Sequence, residues 1–175
     1  MELPTQNELD QAAEAFDRDW RGVDEVLYGI CRQYPGHRVR REVIAKVSLI
    51  DRAYSAGLER QVIPDAGSQA ITRIADFVVD HDSYVDAIVA ELAPLREPLC
   101  RKNMVAIVRA HGHFLDLLRR IPTRGTSPRS FAAKYLHFHK PIVPIYDSYA
   151  AARLIALVPW GGDCGAVRAT AGRRR

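Results

Sequence analysis

The sequence predicts an all-α fold: one compact helical domain of about seven or eight helices. Three observations carry that prediction. Apolar residues recur at three- and four-residue intervals, most clearly at Val39, Val43, Ile44, Val47, Ile50, Tyr54 and Leu58. No segment alternates apolar and polar residues between hairpin signals, and the one strand-like scrap, 142–146, is interrupted by Pro144. Proline and glycine also punctuate the chain into pieces of ordinary helix length.

Taken in order, Thr5 or Asn7 can cap a first helix with apolar positions at Leu9, Ala12, Ala13, Phe16 and Trp20. Gly22 interrupts it. A second helix carries Val26, Leu27, Ile30 and Tyr34 on one side and stops at Pro35-Gly36. The long stripe from Val39 to Leu58 makes the third and reads as core. His37, Arg38, Arg40 and Arg41 crowd its start and oppose the helix dipole. A turn at 64–68 leads to a helix capped by Ser68 and running to Asp80, with Ile71, Ile74, Ala75, Val78 and Val79 inward. A further helix starts at Asp82 or Ser83 and stops near Pro94. The next, 101–121, turns Met104, Ile107, Val108, His111, Phe114, Leu117 and Leu118 inward. Another starts at Ser127 or Ser130, and Pro141 and Pro144 then force an extended connector. Asp147 opens the last helix.

The 175 residues, 47% hydrophobic and 26% charged, fit a single globular domain. No apolar run is long enough to span a bilayer, so no membrane partner is expected. The first ten residues are acidic and polar, unlike a secretory signal, which points to the cytoplasm. Net charge is +4, but Arg168, Arg173, Arg174 and Arg175 outweigh Asp163 in residues 161–175. Residues 1–160 therefore form a nearly neutral helical domain, and 161–175 a basic tail expected to be disordered. Local charge, not isoelectric point, must carry any nucleic-acid argument.

Several chemistries find no footing. Cys31, Cys100 and Cys164 are scattered, with no metal-ligand spacing. His111/His113 and His137/His139 are i,i+2 pairs, which diverge on a helix, so no metal is expected. Polar contacts or a positive charge beside phosphate are the ordinary uses of the second pair. No phosphate loop, dinucleotide fingerprint or nucleophile elbow is present, and no cofactor is expected.

What remains is the stretch 117–157. From Leu117 to Tyr146 there is no acid, while Arg119, Arg120, Arg124, Arg129, Lys134 and Lys140 supply six cations. Pro122 and Gly125 mark a tight turn between two helices, and a glycine there lets backbone approach a ligand closely. The first amides of the second helix suit a phosphate oxygen, supplemented by Arg124, Arg129 and Lys134. A plain interhelical turn on a solvated basic face fits the same residues. Asp147, the first acid after the gap, is a helix cap on either reading.

Ile121-Pro122-Thr123-Arg124-Gly125 resembles a degenerate form of the Leu-Pro-Gly-Val-Gly hairpin of the helix–hairpin–helix DNA glycosylase superfamily. In that all-α family a catalytic aspartate follows the hairpin, sits just after a proline and opens the next helix. Pro144-Ile145-Tyr146-Asp147-Ser148 is similar, and the 22 residues from Gly125 to Asp147 match the family's interval. The resemblance implies DNA as partner, gripped at its phosphate backbone by Thr123, Arg124, Gly125, Ser127, Arg129 and Lys134. It implies Asp147 as catalytic residue for N-glycosidic cleavage, the target base flipped into a pocket lined by aromatic or apolar groups; Tyr135, Phe138, Tyr146 and Tyr149 are nearby in sequence. The family's bifunctional members carry a lysine nucleophile where this chain has Ser127 or Pro128. The implied chemistry is therefore monofunctional hydrolysis without strand cleavage. A helical nucleic-acid- or partner-binding module that kept the fold and lost the chemistry is the alternative.

Overall fold

The computed structural model describes residues 4–63, 67, 69–125, 127–148 and 151–152. Thr5 begins the first helix, α1 (Gln6–Asp19), through a capping box: its hydroxyl accepts the Glu8 N–H, and the Glu8 carboxylate accepts the Thr5 N–H. The break before α2 (Arg21–Gln33) falls at Trp20 rather than Gly22, which lies inside α2. The remaining helices are α3 (Arg40–Ala53), α4 (Ala70–Asp80), α5 (Asp82–Leu92), α6 (Arg101–Leu118) and α7 (Arg129–His139). Ser148 and residues 151–152 are also helical, and the Asp147 carbonyl accepts the Ala151 N–H at 2.9 Å. Among the described residues there is no strand, only an isolated antiparallel bridge between Val62 and Thr123. The fold is all-α.

Two boundaries differ from the periodic pattern. The third helix stops at Ala53, five residues before Leu58, because Ser55 and Gly57 take left-handed backbone (φ 47° and 78°). Asp51 holds that turn, its carboxylate accepting the N–H groups of Leu58 (2.8 Å) and Glu59 (3.0 Å). Tyr54 and Leu58 still join the core through the loop. The seventh helix starts at Arg129 with Pro128 at the cap, so neither serine caps it. Ser68 and residues 161–175 lie outside the described residues, and α4 begins from Gln69 without a side-chain cap.

At the centre stands α7, packed on α2, α3 and α6. Phe131, Ala132, Ala133, Lys134, Tyr135, Leu136 and Phe138 are all buried, so this helix is enclosed on every side. Tyr135 meets Phe114 at 5.3 Å and Phe131 at 5.5 Å between ring centroids, while Phe138 meets Tyr28 at 5.0 Å and Tyr54 at 5.1 Å. The α3–α4 and α5–α6 pairs close the core around it. Val39, Met104 and Val108, which the pattern turns inward, are exposed. No helix among the described residues is long and apolar enough to cross a membrane.

Candidate nucleic-acid interface

The segment between α6 and α7 is tied to the loop after α3. Ile63 donates its N–H to the Pro122 carbonyl at 3.0 Å, and Arg124 donates its own to the Gln61 carbonyl at 2.9 Å. Thr123, half-buried, sits in the bridge between those two bonds. One arm of the turn therefore spends its backbone inward. The tip does not: Arg124, Gly125 and Ser127 are exposed, and Gly125 has φ 101°, where a side chain would be strained. The first turn of α7 has no side-chain cap. Arg129 is half-buried, and its carbonyl faces His111 Nε2 at 3.3 Å.

Lys134 is placed differently from the surface cations with which its sequence neighbours group it. It is buried, its ammonium donating to the Tyr54 carbonyl at 2.6 Å and lying 5.8 Å from the centre of the Tyr54 ring. It does not stand beside Arg124 and Arg129 as a free phosphate contact: more than one turn into an enclosed helix, its amine points at protein. Desolvation lowers its pKa, and the nearby carboxylates of Asp147 and Asp51 oppose that shift. Asp147 itself is half-buried, its carbonyl accepting the Ala151 N–H. The connector thus folds back, bringing Asp147 within electrostatic reach of α7. Of the four aromatic residues near these motifs, Tyr135 and Phe138 belong to the core and Tyr146 is exposed. Tyr149 lies outside the described residues.

The two histidines of α7 are structural ties. His137 donates through Nδ1 to the Val143 carbonyl at 2.7 Å, leaving Nε2 to accept from the Tyr28 hydroxyl. His139 donates through Nδ1 to the Tyr135 carbonyl at 2.8 Å, and Nε2 faces Lys46 Nζ at 3.4 Å. Burial lowers both pKa values, so both rings are neutral near pH 7 and carry no charge toward phosphate. Among the described residues, no three His, Cys, Asp or Glu side chains converge as metal ligands.

Two parts of this neighbourhood lie beyond what the motifs single out. One is the Gln61–Ile63 segment that braces the turn. The other is Asp51 and Tyr54, which share the environment of Lys134. A signal for the second was present: Lys134 sits within Phe131–Phe138, a run apolar on every helical face. Comparison with protein-family models, with curated proteins and with solved structures gave no match.

Proposed function

We propose that the protein binds duplex DNA through the α6–α7 turn and releases a base from it by hydrolysis, with Asp147 as the catalytic carboxylate. The observation that carries this reading is that Asp147 lies half-buried within electrostatic reach of Lys134 on α7, the helix that the cationic turn leads into. Arg119, Arg120 and Arg124 are exposed around that turn and supply phosphate contacts. The Gly125 backbone and the uncapped first turn of α7 supply N–H donors for a phosphate oxygen.

In the reaction the target nucleotide leaves the stack and its N-glycosidic bond breaks as positive charge develops on the sugar. A carboxylate near C1′ stabilises that charge and orients water. The water oxygen bonds to C1′, the departing base takes up a proton, and an abasic deoxyribose remains. Lys134 donates to a backbone carbonyl from a buried position, so no Schiff base and no strand cleavage are assigned to it. Affinity for a duplex should fall steeply with salt. Arg124→Ala should weaken binding across sequences and reduce the slope of log K against log salt by about one. An interaction indifferent to salt would remove this surface from the account.

A second reading, a helical module that binds nucleic acid or a partner without chemistry, draws support from the internal bonds at Pro122 and Arg124. Those bonds leave less free backbone at the turn than a glycine-rich hairpin offers. Duplex binding with no base released would favour it.

A further inference from the structure

The first helix, α1, buries none of its residues. Leu9, Ala13, Phe16 and Trp20 nevertheless fall on one face at helical spacing, with Phe16 43% and Trp20 48% exposed. Glu8 and Asp19 flank this stripe on one side, Asp10 and Asp17 on the other. A helix of 14 residues is marginal in water without a packed face. The opposite arrangement occurs on α6. There Val105 and Val108, 52% and 66% exposed, stand among Arg101, Lys102 and Arg109. Arg101, Lys102, Val105, Ala106 and Arg109 line a shallow depression. Among the described residues, none of those three cations forms a salt bridge.

We propose that α1 of one copy docks on the α6 face of a second copy, its apolar stripe over Val105 and Val108 and its acids against Arg101, Lys102 and Arg109. The lengths agree: at about 1.5 Å per residue, Leu9 to Trp20 spans about 16 Å and Arg101 to Arg109 about 12 Å. Apolar groups gain nothing against phosphate, so exposed valines between cations suit an apolar stripe edged with acids better than a nucleic-acid backbone. Each copy offers one α1 and one α6, and docking of both across a two-fold axis closes a dimer. The surface is separate from the α6–α7 turn, and the proposal does not rest on DNA binding.

Sedimentation of the full chain from micromolar to high micromolar concentration tests it. A monomer–dimer equilibrium is expected, with Phe16→Asp and Val108→Asp each weakening it on the order of tenfold or more. Both positions are exposed, so both variants should fold. Mixing the two variants should restore some dimer, since each keeps the half of the contact that the other lacks. A chain monomeric throughout overturns the proposal. So does a dimer insensitive to both changes, or a monomer whose α1 amides are strongly protected from exchange, which would mean the stripe is covered within one copy.

Discussion

Lys134 donates to the backbone carbonyl of Tyr54 across 2.6 Å, joining the central helix to the loop in which α3 ends. The bond fixes the position of a buried ammonium near Asp51 and Asp147. Truncating Lys134 to Ala leaves the Tyr54 carbonyl without its donor and opens space in the core. The expected cost is about 2–4 kcal/mol in urea unfolding. Because the amine faces protein, Lys134→Met should leave the salt slope of duplex binding unchanged while Arg124→Ala lowers it. A slope reduced equally by both would place Lys134 at the DNA.

Lys46 is a second buried lysine, on α3. It is fully enclosed, donating to the carbonyls of Tyr34 (3.0 Å) and Gly36 (2.9 Å) and facing His139. It therefore closes the turn after α2 against α7. Burial lowers its pKa to about 8, with Cys31, Asp86 and Glu42 pulling the other way. Lys46→Met keeps the aliphatic stem but strands two carbonyls, and should destabilise by about 2–4 kcal/mol. A loss under about 0.5 kcal/mol, the range of ordinary surface substitutions, would contradict this assignment.

The fully buried His37 makes stability sensitive to acid. Its Nδ1 lies 2.6 Å from Asp86 Oδ1, while Nε2 has no partner. A charged ring would bury an unsatisfied N–H beside Lys46. Desolvation first, then Lys46, lowers the pKa to about 3 despite Asp82. Those effects outweigh the Asp86 contact. Around the ring stand Lys46 of α3, Asp82 and Asp86 of α5, and Tyr135 and His139 of α7. The unfolded chain takes up this proton near the ordinary histidine value and the folded chain does not, so stability falls as pH drops below about 6.5. His111, His137 and His139 shift in the same direction. Burial raises the pKa of Asp24, Asp51 and Asp86, which opposes the trend once pH enters the carboxylate range. Urea midpoints should decline from about pH 7 to about pH 5, His37 contributing at most about 1.4 kcal/mol per unit. Midpoints that rise over that interval would show these histidines to be charged in the fold.

The described thiols should differ in reactivity. Cys100 is exposed at the start of α6, and its pKa is lowered chiefly by the Asn103 amide, with Lys102 adding a smaller effect. Burial raises Cys31 to about 11. In a Cys164→Ser background, alkylation at neutral pH should modify Cys100 first and leave Cys31 until the protein unfolds. Equal rates would contradict the burial of Cys31.

Much of the fold was legible because its cause is periodic. The inward residues of α4 and the all-helical class follow from spacing that holds within one helix. Contacts between helices leave no such mark. The bracing of Thr123 by Val62 joins segments 61 positions apart, and nothing in either one announces the other. Charge misled at Lys134, where a cation in an acid-free run suggests solvent but the apolar residues around it dictate burial. At α1 the apolar spacing marks a face and at α6 it turns Met104 and Val108 inward, yet Phe16, Trp20, Met104 and Val108 are exposed. Periodicity marks a face that packs well and says nothing of what lies opposite.

The most direct measurement is base release from duplexes carrying damaged or modified bases, comparing the native protein with Asp147→Asn at matched DNA affinity. Free base and alkali-labile abasic sites are expected with the native protein. Asp147→Asn should still bind but release base at least about a hundredfold more slowly. Equal release by both proteins would contradict the catalytic assignment of Asp147.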